Sequence, residues 1–458
     1  MRRGGLVAYI EDLMAEQVRR GDDVSYFFSG RYYPYLHGPR LRRWERDGVV
    51  MLEVVNSPLH DHGRQPGLEL SEPAIEQMLE RTIETIRPDV VHIQELAGLP
   101  GSLIDISRNA RVTTIMTLHD YFPLCPTFKL LDSEGQVCLR KEVGADCVAT
   151  VANSPSHPDL LFTATLAHDL PRLPLVRLLP AKLRDRPALG VAGLIARRAT
   201  RATRPPAENP AVAYQRRRDL YVARLNGADS LIAVSKRVAE IYEQLGVRAD
   251  LLQTMQITLR HFEDLHPRTP DLKPPLTFGT LAGLESQAKG AHILIDAMRA
   301  LERAVGSGRL RLVVFGYVPP GIADQARQIP GIELRGPYLP QDMDQMLDAV
   351  DVGILPSVWE EAYGFTGIEF LAKGIPVIAN RIGGMVDYTR EGETGWLNHS
   401  CSSQELAVIM GRIADDPEQV SRLNSYLKAQ RDSIIMPMAR HANQLDGVYA
   451  QVGRSVAI

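Results

Sequence analysis

From Gly5 to Arg20 the apolar residues Leu6, Ile10, Leu13, Met14 and Val18 recur at helical spacing, and Gly21 stops the pattern before the strand-like run Val24 to Phe28. A helical stretch around Pro73 to Ile86 follows, then a buried apolar strand from Asp89 to Gln94, a helix after Gly101 and a strand from Val112 to Thr117. The pattern resumes with a helix from Tyr214 to Leu225, a strand from Ser230 to Val234 and a helix beginning near Ser235, a good N-cap. Such alternation implies a parallel sheet. The Gly4-Gly5 pair before a helix normally follows a first strand, and no residues precede it to make one. Either the true start lies upstream or the domain tolerates the loss.

Between 151 and 213 the periodicity loosens. Prolines 171, 174, 180 and 187 break any long helix, and Arg172, Arg177, Lys182, Arg184, Arg186, Arg197, Arg198, Arg201 and Arg204 stand against few acids. This reads as an insertion, either a solvated helical cover or, through leucines among the arginines, a contact with anionic lipid. Pro267, Pro270, Pro274 and Pro275 mark a linker over 266–275. Five strand-and-helix units come next, with strands at Thr277 to Leu281, Leu312 to Phe315, Ile332 to Arg335, Val352 to Leu355 and Pro376 to Ala379. They make a doubly wound second domain over 276–430, after a first domain over 1–265. The tail, 431–458, carries an amphipathic helix from Met436 to Val452.

Composition narrows the class. At 458 residues the chain exceeds one ordinary core, and 45% hydrophobic with 23% charged residues is the balance of a folded protein. A formal charge of −3 argues against nucleic acid as the main partner. No run of 18 apolar residues exists and Glu11 and Asp12 interrupt any secretory segment, so a cytoplasmic location is expected, with peripheral contact to the inner membrane face through the insertion. Cys125, Cys138, Cys147 and Cys401 do not form a disulfide pattern and are expected reduced. The spacing of the first three with His157 is irregular for zinc, and His60-Asp61-His62 reads as a polar loop.

In a doubly wound sheet a ligand binds beyond the carboxyl ends of the strands. The loop after Leu355 is the richest there: it places Glu361 in the loop, small residues at the turn and Glu369 in the first turns of a helix. Backbone N–H groups near Gly364, Phe365 and Thr366 can hold a diphosphate at the helix N-terminus. Glu369 can accept hydrogen bonds from ribose hydroxyls, and Glu361 from sugar hydroxyls, which together describe a nucleotide sugar.

A glutamate, seven residues, a second glutamate and Phe-Leu-Ala-Lys-Gly-Ile-Pro-Val-Ile-Ala resemble the signature of glycosyltransferase family 4. Further likeness lies in Gly4-Gly5, Pro88 to His92, Thr117 to Asp120, Ala228-Asp229 with Ser235, Lys289-Gly290, Phe315-Gly316, Asp351 to Ser357 and Gly383-Gly384. The resemblance implies an α/β chain of two facing Rossmann-like domains, the GT-B architecture, with a C-terminal helix crossing back to the first. It implies a retaining, metal-independent hexosyltransferase with no cofactor, taking a UDP- or GDP-type nucleotide sugar and a polysaccharide, lipid-linked or natural-product acceptor. Lys289 would then meet the diphosphate and His119 the transferred sugar, with Glu361 as the third catalytic candidate. Gly4 and Gly5 would let a loop approach the donor, and Arg335 and Tyr338 would lie where the base is held. The family's usual arginine is replaced by Gly283 with Glu285 nearby, and its Asn-Gly segment by Met255-Gln-Ile-Thr; Arg381 is a substitute cation. Two rival readings are a nucleotide-sugar epimerase or hydrolase on this fold, and a non-catalytic nucleotide-sugar-binding partner protein.

Overall fold

The computed structural model describes residues 4–33, 37–59, 63–152, 209–282, 284–306 and 308–456. His60-Asp61-His62, most of the 151–213 insertion with His157, and Gly283 lie outside these. The described chain forms two compact units, one of Met1–Ala233, Glu240–Gln253 and Gln444–Ile458, the other of Val234–Ala239 and Thr254–Asn443. Both are Rossmann-like α/β layers. The proline-rich segment 267–275 falls inside the second unit, where the Arg268 N–H donates to the Lys373 carbonyl at 3.1 Å and its guanidinium reaches Asp351 at 2.9 Å.

In the first unit the helix Gly5–Arg20 buries Tyr9, Ile10, Leu13 and Met14 and ends at Gly21, whose left-handed backbone (φ 96°) turns its N–H back to the Val18 carbonyl. The strands form two separate sheets. In the smaller, β1 (Val24–Ser29) pairs in parallel with β3 (Val49–Val55), which pairs antiparallel with β2 (Arg40–Arg46). In the larger the order is β4 (Val90–Ile93), β5 (Thr113–Leu118), β6 (Ser230–Ala233), β7 (Leu252–Thr254). The helix Met438–Val456 is divided between the units: up to Asn443 it counts with the second, while Tyr449 shares a 2.8 Å hydrogen bond with His92 within the first.

The second unit has one six-stranded parallel sheet, in the order β10 (Ile332–Gly336), β9 (Leu310–Phe315), β8 (Leu276–Thr280), β11 (Val352–Leu355), β12 (Val377–Asn380), β13 (Gly395–Asn398). Every residue of β8, β11 and β12 is buried, as apolar runs covered on both faces require. Phe278, Leu294, Leu312, Ile354 and Met410 are among the core side chains. The chain enters at β8, builds outward through β9 and β10, then returns to β11 on the other side. The order therefore reverses between β8 and β11, the point at which a doubly wound sheet holds its ligand.

Candidate functional site

The loops after β8 and β11 carry Lys289 and Glu361. Lys289 ends a short 3-10 turn, Gln287–Lys289, and Gly290 (φ 73°) then starts the helix Ala291–Val305. A Cβ at Gly290 would overlap the Pro356 carbonyl, and the Val358 N–H donates to the Ala288 carbonyl at 2.9 Å. The loops are thus in backbone contact, which needs glycine at 290. Their side chains meet: Lys289 Nζ lies 2.5 Å from Glu361 Oε1, which also accepts from Ser357 Oγ at 2.9 Å and Trp359 Nε1 at 3.1 Å. All three donors fall on Oε1, and Oε2 takes no hydrogen bond among the described residues. The ammonium also lies 5.4 Å from the Trp359 ring centre.

The loop is fixed from beneath and beside. Asn398 Nδ2 donates to Asn380 Oδ1 at 2.7 Å, and Asn380 Nδ2 donates to the Pro356 and Ser357 carbonyls at 2.9 and 3.1 Å. Gly383 and Gly384 press against it, the Gly384 N–H donating to the Glu361 carbonyl at 2.7 Å. Glu360, 3% exposed, accepts a bidentate pair from Arg237 at 2.6 and 3.0 Å and the Gly383 N–H at 3.1 Å. These ties leave Glu361 little freedom.

Gly364, in left-handed conformation (φ 79°), leads into the helix Phe365–Ala372, whose N-terminus has no side-chain cap. Tyr388 packs so tightly here that a Cβ at Gly367 would overlap its ring, and its hydroxyl donates to the Gly364 carbonyl at 2.7 Å. Burial pushes that phenol well above its ordinary range, so it stays a donor. Glu369 is 6% exposed and accepts from His261 Nε2 at 3.0 Å through Oε1, while its buried Oε2 has no partner among the described residues. A buried carboxylate oxygen without a donor is costly to leave so, and it suits a ligand hydroxyl.

The second unit therefore joins Lys289 to Glu361, with Gly364, Phe365, Thr366 and Glu369 on the same strand-to-helix connection. Arg335 is held by Glu333 at 2.8 Å over the Phe315 ring. The Tyr338 hydroxyl reaches the Leu281 carbonyl at 3.4 Å, and burial raises its phenol, with a further rise from Glu369. Arg381 and Glu285 are exposed, and Met255 and Gln256 half-buried. His119, Gly4 and Gly5 belong to the first unit. There His119 follows β5, shares a 2.7 Å hydrogen bond with Gln94 and lies 5.0 Å, ring to ring, from Tyr9 of the helix that Gly4 and Gly5 open.

Sequence reasoning did not single out Arg237, Glu360 or His261. Arg237 had a signal, a cation just after the Ser235 cap at the end of a strand. His261 had none, because only folding brings it to Glu369.

Residues 275–416 match the family model for glycosyl transferases group 1, and residues 4–154 that for a glycosyl transferase 4-like domain. The D-inositol 3-phosphate glycosyltransferase of Corynebacterium aurimucosum is 32% identical over 174 residues, 35% of this chain and 40% of that protein. Its namesake from Streptomyces griseus is 33% identical over 164 residues, 33% of this chain and 34% of that protein. The matches thus span well under half the length of these relatives. Among solved structures, Anabaena HepE in complex with UDP and glucose superposes with a TM-score of 0.59 at 16% identity, covering 98% of this chain and 97% of that one. Sucrose-phosphate synthase from Thermosynechococcus elongatus gives 0.62 at 14%, covering 99% and 94%. At these identities the likeness is one of fold, and both halves of the chain carry glycosyltransferase-type domains on the GT-B architecture.

Proposed function

We propose that the chain is a retaining glycosyltransferase that moves a hexosyl group from a UDP- or GDP-type nucleotide sugar to an acceptor hydroxyl. The observation that carries this reading is the cation–carboxylate pair Lys289–Glu361 at the switch of strand order, beside an uncapped helix N-terminus and a buried carboxylate with one oxygen unpartnered among the described residues.

The ribose hydroxyls donate to Glu369, which His261 orients through Oε1 so that Oε2 faces the ligand. The diphosphate lies against the N–H groups at Phe365 and Thr366. Lys289 stabilises the negative charge that builds on the diphosphate as the glycosidic bond breaks. It does so as a side chain already placed, in the role a divalent cation would otherwise serve, so the reaction runs without metal. Glu361 accepts from sugar hydroxyls through Oε2 while Oε1 stays engaged. Tyr338 and Arg335 flank the base. The name of the relatives makes phosphorylated inositol the first acceptor to try, ahead of polysaccharide, lipid-linked and natural-product acceptors.

Turnover with UDP and GDP sugars tests the reading. Lys289→Ala is expected to lower kcat by about 10² to 10³ with a small change in KM, as for loss of one group that stabilises developing charge. Binding without transfer to any acceptor would favour a non-catalytic partner protein. Release of free sugar alone would favour a hydrolase.

A further inference from the structure

Trp359, half-buried, touches both members of the Lys289–Glu361 pair. Its indole Nε1 donates to Glu361 Oε1 at 3.1 Å, and its ring centre lies 5.4 Å from Lys289 Nζ. The backbone sets this up. The Val358 N–H donates to the Ala288 carbonyl at 2.9 Å, so the next residues along the two loops, Trp359 and Lys289, are neighbours. The Glu361 N–H donates to the Trp359 carbonyl at 2.7 Å, a three-residue turn that keeps Trp359 and Glu361 close together.

A lysine ammonium is a point charge on a flexible stem, with three donors and no fixed direction. Its two contacts here differ in kind. The carboxylate of Glu361, at 2.5 Å, draws the ammonium and offsets its charge, whereas the face of an indole draws it and leaves the charge whole. A cation that is to stabilise a diphosphate needs the second kind of hold. Glu361 shows the converse. The terminal torsion of a glutamate is broad and two-fold, so a lone carboxylate turns easily. Oε1 here receives from Lys289, from Ser357 Oγ at 2.9 Å and from the indole, more donors than its two lone pairs require. Convergence of this kind fixes the rotation of the carboxylate and commits Oε2 to whatever ligand arrives.

We propose that Trp359 is a positioning residue with two separable parts: its ring aims the Lys289 ammonium at the donor diphosphate without neutralising it, and its N–H locks Glu361 so that Oε2 alone reads the sugar hydroxyls. The proposal rests on the glycosyltransferase reading above and adds to it a division between rate and sugar selectivity. The ring serves the step in which negative charge builds on the diphosphate, so its loss lowers kcat. The N–H serves the seating of the sugar. Without it the carboxylate can turn to follow a displaced hydroxyl, and sugars that differ at one centre are told apart less well.

The experiment compares the intact chain with Trp359→Phe, Trp359→Leu and Ser357→Ala. Calorimetric affinities for UDP-glucose against UDP-galactose, and for GDP-mannose against GDP-glucose, give the sugar preference, and release of UDP or GDP with the acceptors named above gives kcat and KM. Trp359→Phe keeps a ring and removes the N–H, so preference is expected to narrow on the order of tenfold while kcat stays within about threefold. Ser357→Ala removes another donor to Oε1 and leaves the ring, and is expected to resemble Trp359→Phe. Trp359→Leu removes both parts and is expected to lower kcat by a further factor on the order of ten. Trp359→Met replaces it if the leucine variant does not fold. Unchanged preference in Trp359→Phe, or a kcat in Trp359→Leu no lower than in Trp359→Phe, would overturn the proposal. So would a fall of Tm, kcat and preference together in all three variants, which is the mark of a merely structural side chain. An intact chain that neither binds nor turns over any of the four donors would overturn the glycosyltransferase reading, and this assignment with it.

Discussion

The two units use the same kind of sheet to different completeness. In the second, β8 and β11 lie side by side, both wholly buried, and the loops that leave them are in backbone contact at Gly290 and Ala288. In the first, β1 and β4 line a cavity, and most of their residues are only half-buried. A continuous sheet fixes where its two loops leave it, which is what holds Lys289 and Glu361 at 2.5 Å. Two separate sheets whose edge strands line a cavity give those strands no such constraint, whatever their apolar content.

The largest effects should follow that contrast. Phe278, fully buried in β8, should cost about 3 to 5 kcal/mol on truncation to alanine, whereas Phe27, on the cavity wall, should cost about 1 kcal/mol because its site is already open. Local hydrogen exchange in each unit is the suitable readout, since a chain of two units has no single unfolding free energy. Equal costs would remove the contrast.

Acid should separate the units further. His441, fully buried in the second unit, has its pKa lowered to about 4 by burial. The unfolded chain, with an ordinary histidine near 6.5, binds the proton more readily, so stability is complete above about pH 6.5 and is lost as pH falls toward 4. Between pH 7 and 5 the second unit should lose about 2 kcal/mol by this group. His441→Gln should flatten that part of the profile, and an unchanged pH dependence in exchange rates would contradict it.

A smaller expected effect concerns metal. On the proposed role of Lys289 at the diphosphate, a chelator should change turnover by less than about twofold, while a strong loss restored by magnesium would show that the cation's role is not filled by the side chain.

Much of the fold was legible because its strands are apolar runs between helical periods. Val24 to Phe28, Leu312 to Phe315 and Val352 to Leu355 each read directly. The hairpin Arg40–Arg46 with Val49–Val55 did not, because its outer strand is mostly charged and exposed, which masks a strand pattern. The closing strand Gly395–Asn398 was hidden by the Gly392 and Gly395 turn signals beside it. At the site, the acidic pair and Lys289 stand out by their place at strand ends. Their partners do not: the Arg237–Glu360 pair joins residues 123 apart and His261–Glu369 residues 108 apart, spacings that only the fold brings together.

The claim on which the functional account rests is that the connection from Glu361 to Glu369 cradles an activated sugar. Calorimetric titration of UDP-glucose and GDP-mannose into the intact chain and into Glu369→Ala tests it most directly. One donor should bind the intact chain, with affinity about 10- to 100-fold weaker in the variant, as for loss of a buried charged acceptor of two hydroxyls. Identical affinities in both proteins, or no binding of either donor to the intact chain, would contradict it.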